Sequence, residues 1–162
     1  MNNLDRFYLV YLLIHIPITI LIDSNIVVPI EYAFEISKKI LNFHIETNHD
    51  FLLRERPIWF QIFGLIELVF QLPLFFYCSY HIYLQKSKTY YIYMIIYGFN
   101  AAFTTFVCLG VTYFEGHLYG LTPSQVFNLI AIYVPYLLIP LLIMVDYSHR
   151  TIKLLNGKIK LE

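Results

Sequence analysis

Charged side chains are scarce in this sequence. Lys, Arg, Asp and Glu make up 14% of its 162 residues, where an ordinary soluble domain carries about 25%. So few ions cannot coat a small globule in water, which argues against a soluble monomer. Eleven Lys and Arg are balanced by eleven Asp and Glu, so the basic face that a nucleic-acid surface needs is missing. Glycine is limited to six residues and cysteine to two. Collagen-like and disulfide-framework classes are thereby excluded. Cys78 and Cys108 both fall inside apolar runs and read as buried free thiols. The sequence holds no Asn-x-Ser/Thr sequon. His44, His49 and His117 lack metal-ligand spacing, and no Ser-His-Asp arrangement, P-loop or glycine-rich dinucleotide motif occurs. No metal or other cofactor is expected.

What is present is apolar. The hydrophobic fraction is 59% and the aromatic fraction 19%, against about 45–50% apolar in an average domain. Mean hydropathy is +0.62. That load rules out intrinsic disorder. A bilayer-crossing helix needs about 20 mostly apolar residues, and four stretches qualify, over about 7–30, 58–84, 90–114 and 126–147. Each is too long and too uniform for the alternating strands of a barrel. The first follows a single basic residue, Arg6, and has no small-residue cleavage site, so it reads as a retained span. The expectation is an all-α integral membrane protein: one domain over 1–162, four transmembrane helices with proline-kinked spans around an intramembrane pocket, and a tail from 148 to 162.

Lys and Arg set the orientation. Four spans put the N-terminus, the 85–89 link and the tail on one side, with Arg6, Lys86, Lys88, Arg150, Lys153, Lys158 and Lys160. The other side holds Lys38, Lys39, Arg54 and Arg56 with six acids. Both termini are therefore expected in the cytosol. In the long 31–57 connection, Tyr32, Phe34, Ile36, Ile40, Leu41 and Phe43 predict a short amphipathic helix at the membrane surface. Thr122-Pro123 predicts a capped helix start, with Thr122 as N-cap and Pro at the first helical position. Lys158 and Lys160 resemble a dilysine signal for retrieval to the endoplasmic reticulum.

The informative residues are the polar ones inside the spans. An acid near the middle of a span costs about 2.5–3.5 kcal/mol and marks a functional site by default. Asp23 and Glu67 are such acids. His15, Thr19 and Asp23 recur every four residues, along one helix face. Glu67 and Gln71 repeat that spacing, as do Asn100 and Thr104. These stripes predict one polar chamber. Two acids sharing a dry pocket do not both ionise, and one shared proton leaves about one negative charge. That charge suits a protonated amine or a polarised hydroxyl on a greasy ligand, with aromatic walls adding cation–π contact. Pro17, Pro29, Pro73, Pro135 and Pro140 remove backbone hydrogen bonds, and the freed carbonyls need donors. Tyr133 and Tyr136, flanking Pro135, are candidate donors or pocket walls.

Four blocks carry a family resemblance. They are His15-Ile-Pro-Ile-Thr19 with Asp23 beyond it; Asp50 with Leu52-Leu53 and Pro57-x-Trp59-Phe60; Glu67-Leu-Val-Phe-Gln-Leu-Pro73; and Tyr133 preceding Val134-Pro-Tyr-Leu-Leu-Ile-Pro140. Over nearly the whole length the chain resembles the sigma-2 receptor (transmembrane protein 97) family of the EXPERA superfamily. The resemblance implies four helices, endoplasmic-reticulum residence, a homodimer, and an intramembrane pocket for sterols and cationic amphiphiles. It implies that Asp23 pairs with a ligand amine, that Glu67 hydrogen-bonds to Asp23, and that Asp50 supports the fold at the pocket rim. Phe43, Leu53, Phe60, Phe63, Gln71 and Tyr136 are implied to line or border the pocket. The chain departs from the animal members at His44, where they have Tyr, a change that bears on ligand preference. Its compact tail, short loops and Asn/Ile/Tyr/Lys-rich composition resemble the fungal, efficient mitochondria targeting-associated branch, which implies mitochondrial precursor proteins as partners. The superfamily also contains sterol Δ8-Δ7 isomerases. Those carry a different His/Glu constellation on a larger five-helix chain, which points to a non-enzymatic protein here.

Overall fold

The computed structural model describes residues 1–85 and 87–157 in full and continues the last helix to Ile159. Lys86 and the Lys158/Lys160 pair lie outside the fully described residues. Among the described residues six helices longer than one turn follow one another: α1 (Asn3–Val27), α2 (Glu35–Asn48), α3 (Phe51–Glu55), α4 (Ile58–Leu84), α5 (Tyr90–Glu115) and α6 (Pro123–Ile159), with single 3-10 turns at Ile30–Tyr32 and Gly116–Tyr119. No strand occurs among the described residues. Helices α1, α4, α5 and α6 are each long and apolar enough to cross a membrane.

Local chemistry sets the boundaries. The Asn2 side chain caps α1 by accepting from the Asp5 N–H at 2.7 Å, so the helix begins at Asn3, ahead of the expected residue 7. It ends at Val27 and not at 30, because Val28 precedes Pro29 and is extended, with φ −75° and ψ 128°. At α6 the Thr122 hydroxyl accepts from the Gln125 N–H, and the Gln125 side-chain oxygen accepts from the Thr122 N–H at 2.8 Å. This reciprocal cap, with Pro123 next, is the start that the sequence predicts. The expected break at 147 is absent. Helix α6 runs on to Ile159, and Asp146 pairs with Arg150 one turn along at 2.7 Å. Residues 148–159 therefore continue the span as helix.

The amphipathic helix expected in the 31–57 connection is α2. It buries Ser37 and Leu41 and leaves Ile36 and Phe43 exposed, beside exposed Tyr32 and Phe34. A left-handed His49 (φ 56°) ends it, and Asp50 immediately caps α3 by accepting from the Leu53 N–H at 3.1 Å.

Two apolar clusters hold the spans together. One, around Tyr8, Phe75, Tyr97 and Tyr147, joins all four spans near the chain termini. The other gathers Ile26, Leu41, Leu52, Phe60 and Leu129 beneath α2 and α3. At the terminal end Arg150 lies between Asp5 and Asp146 and 4.8 Å from the centre of the Tyr147 ring. This clasp fastens the start of α1 to α6 and places both at one end of the bundle. Arg150, a topological charge in the sequence, is thus paired with two acids, Asp5 and Asp146.

Helices α5 and α6 form the tightest seam. A Cβ added at Gly98 would stand 2.5 Å from the Pro140 carbonyl oxygen and 2.9 Å from the Met144 nitrogen, both backbone atoms. Small residues permit such close approach in membranes. Gly98→Ala is expected to cost about 1–3 kcal/mol through overpacking. Thermal unfolding in detergent checks this, and an unchanged midpoint would refute it.

Pro140 has no N–H, so the carbonyl of Tyr136 loses its helical partner. The Thr105 hydroxyl on α5 donates to that carbonyl at 3.3 Å. The donor for this carbonyl is thus a threonine on the neighbouring helix. Thr105→Val is expected to lower stability by about 0.6 kcal/mol, the average for interhelical bonds, and by no more than about 1.7 kcal/mol. The same unfolding assay would show it as a small downward shift, and a rise would contradict the assignment.

Candidate functional site

The α-helical ladder is interrupted twice, once in α1 and once in α4. Thr19–Asp23 and Glu67–Gln71 are each a π-helical turn. At the first the Ser24 N–H reaches back to the Thr19 carbonyl, and at the second the Leu72 N–H reaches back to that of Glu67. Widened turns of this kind recur at functional sites because they turn side chains away from their α-helical directions. Here they carry both intramembrane acids: Asp23 closes the first turn and Glu67 opens the second. The turns meet. The Thr19 hydroxyl, fully buried, donates to Glu67 Oε1 at 2.9 Å, and the Asp23 carboxyl faces that of Glu67 beside it.

Packing explains the space in front of the acids. From Leu72 onward α4 packs against α5, whereas its first half leans on the Ser24–Val27 end of α1. Gly64 allows this, since a Cβ there would come within 2.8 Å of Ile26. The α1/α4 pair and the α5/α6 pair therefore part in the half of the bundle nearer α2. A cavity of about 200 Å³ lies there.

Asp23, Glu67, Gln71, His15, His44, Leu53, Phe60, Phe63, Tyr133 and Tyr136 all line this cavity. His15 donates from Nδ1 to the Tyr11 carbonyl at 2.9 Å and packs edge-on to Tyr136, ring centres 5.4 Å apart. Gln71 donates to Asn100 Oδ1 at 2.8 Å, which ties α4 to α5. Thr104 also lines the cavity, but its hydroxyl is turned back onto the Asn100 and Ala101 carbonyls of its own helix. Thr19 and Asp50 stand behind the wall. Asp50 is completely buried and accepts from Tyr133 OH at 2.9 Å, from His44 Nε2 at 3.3 Å and from the Leu53 N–H.

Phe43 is the exception. It is 70% exposed, on the outward apolar face of α2, and takes no part in the cavity. Helical periodicity separates it from Leu41 and His44, which face inward. Tyr11, Tyr97, Thr105 and Cys108 also line the cavity, together with several aliphatic residues, and the sequence does not single them out for it. Tyr11 sits one turn before His15, so extending the His15–Thr19–Asp23 stripe backward by four would have found it. Cys108 likewise sits one turn beyond Thr104 on the Asn100–Thr104 stripe, whereas nothing in the local sequence marks Tyr97 and Thr105.

A family model described as EXPERA (EXPanded EBP superfamily) matches residues 36–147. The chain is 38% identical over 149 residues to efficient mitochondria targeting-associated protein 19 of Saccharomyces cerevisiae, covering 85% of this chain and 92% of the relative. It is 34% identical over 144 residues to sigma intracellular receptor 2 of Homo sapiens, covering 83% and 81%. A Schizosaccharomyces pombe protein with the same name as the Saccharomyces one is 24% identical over 152 residues, covering 93% and 78%. With the matched model spanning most of the chain and relatives above 30% identity along nearly its full length, this four-span protein belongs to the EXPERA family.

Proposed function

We propose that the protein binds a sterol-like or cationic amphiphilic ligand inside the membrane and is not an enzyme. The observation that carries this reading is the Asp23–Glu67 carboxyl pair facing a cavity walled by aromatic rings. A carboxyl pair in a water-poor hollow recognises an ammonium or a hydroxyl, and Tyr136, Phe60 and Phe63 suit a flat apolar body. The similarity to a protein named as a sigma intracellular receptor supports it. We place the chain in the endoplasmic-reticulum membrane as one domain and a homodimer, with both termini cytosolic by the excess of Lys and Arg at their end. Lipid extraction and mass spectrometry of the purified protein test the reading. One sterol or lipid amine per chain is expected. Recovery of bulk phospholipid alone, in both wild-type protein and Asp23→Asn, would overturn it.

A second reading is favoured by the match to proteins named for efficient mitochondria targeting. In it the protein assists mitochondrial precursor proteins at the endoplasmic-reticulum surface. Deletion should then slow precursor arrival in mitochondria, even where Asp23 and Glu67 are neutralised. Normal import in the deletion strain would remove this reading. The two are compatible, because a bound ligand can bias an interaction at the surface.

A further inference from the structure

Two hollows meet at one pair of side chains. His44 is the one residue of α2 among those that line the cavity. Beyond it lies a separate groove of about 360 Å³, lined by Thr47, Asn48, His49, Gln125, Asn128 and Ala131. Ile132 lines both spaces. Asn48 belongs to the groove and His44 to the cavity, and they are joined by a hydrogen bond of 3.0 Å between Asn48 Nδ2 and His44 Nδ1. The wall between the two hollows is therefore thin and polar there.

Size gives the wall a consequence. Sites for drug-sized ligands occupy roughly 300–1,000 Å³. The cavity alone, at about 200 Å³, falls short of that range, and the groove would bring it well inside. The wall is also weakly held. His44 is half-buried, and its second bond, to Asp50, is long at 3.3 Å. If His44 swings away, Asp50 keeps the Tyr133 hydroxyl and the Leu53 N–H, so no buried carboxyl is orphaned. The groove itself offers amides, a hydroxyl and an imidazole but no acid. Among the described residues the Asn128 and Thr47 side chains have no intramolecular hydrogen-bond partner.

We propose that His44 and Asn48 form a movable partition, and that the cavity and the groove are one site reached from water at the α2 end. The groove takes an uncharged, hydrogen-bonding head or arm of the ligand, while the apolar body enters the cavity. The groove's role for a ligand rests on the ligand-binding reading above; the partition itself is tested without any ligand.

Cys108 is the reporter, because it lines the cavity, whereas Cys78 lies in the other apolar cluster. Full-length protein carrying Cys78→Ser, purified in detergent, is treated with trimethylammonium-ethyl methanethiosulfonate. The thiol forms a mixed disulfide and methanesulfinate leaves. Asn48→Leu removes the bond to His44, and Cys108 labelling is expected to rise about five- to tenfold, the scale of one lost hydrogen bond. Ala131→Trp fills the groove from an exposed position and is expected to slow labelling by a similar factor. Labelling by N-ethylmaleimide, small and neutral enough to arrive through the detergent, should move less in both variants. Equal cationic labelling rates in wild type, Asn48→Leu and Ala131→Trp would overturn the proposal, as would no labelling in any of them. Thermal midpoints verify that the variants are folded, and Ala131→Trp decides the matter if Asn48→Leu is not. The rates are read with no ligand present, so they stand whether or not amine binding does.

Discussion

Asp50→Ala is expected to lower the unfolding free energy by about 2–4 kcal/mol, the combined cost of a lost helix cap and a stranded buried donor. Three donors converge on this one carboxyl: the Leu53 N–H, Tyr133 OH and His44 Nε2. The substitution removes the cap of α3, worth about 1 kcal/mol on its own. It also strands the Tyr133 hydroxyl, and an unmet buried donor costs about 1–3 kcal/mol. The link between the 31–57 connection and α6 is cut at the same point. Asp50→Asn keeps one acceptor oxygen and should fall between wild type and Ala. Unfolding by detergent titration, followed through Trp59 fluorescence, measures all three proteins. A loss below about 1 kcal/mol for Asp50→Ala would show that the network is not what holds α3 in place.

Asp23→Asn is expected to weaken binding of a tertiary alkylamine about 30-fold or more. Truncating one partner of a buried hydrogen-bonded charge pair costs about 2–5 kcal/mol, and about 2 kcal/mol is roughly 30-fold. Glu67→Gln should weaken it less, because Glu67 is engaged by the Thr19 hydroxyl and acts by positioning Asp23. Stability should move the other way. An acid in a span is costly, so neutralising either one should leave the thermal midpoint unchanged or higher. Affinity lost together with stability gained separates a binding role from a structural one. Equal amine affinity in Asp23→Asn, Glu67→Gln and wild type would remove the carboxyl pair from the binding site. A lowered thermal midpoint would identify it as a structural bond.

The sequence exposes the acids well, because a carboxyl in a 20-residue apolar run has no other signal to compete with. It also exposes His15, Thr19 and Asp23 by their four-residue spacing, although only His15 and Asp23 line the cavity and Thr19 stands behind it. It does not show the widened turn itself. An α and a π turn are built from the same residues, and what selects between them here is the fit of α1 against α4 around Thr19 and Glu67. Phe43 illustrates a different blindness. Its neighbours Leu41 and His44 face the bundle, and only the seating of α2 on the other helices decides which side Phe43 takes. The extension of α6 past 147 was hidden because hydropathy reports where the bilayer ends and is silent on where the backbone ladder ends.

Composition and run length alone determined that four helices cross a membrane: apolar segments of that length cannot leave a bilayer without exposing their side chains, or cross it without satisfying their backbone internally. Prolines and capping residues determined where α1 stops and α6 starts. Only the tertiary structure decided that Asp23 and Glu67 face each other, that Arg150 is neutralised by Asp5 across most of the chain's length, and that a hollow remains between the two helical pairs. These follow from how separate helices pack. Gly64 and Gly98 let backbones close in at two places, and volume is left over where the pairs part, a quantity that no single segment contains.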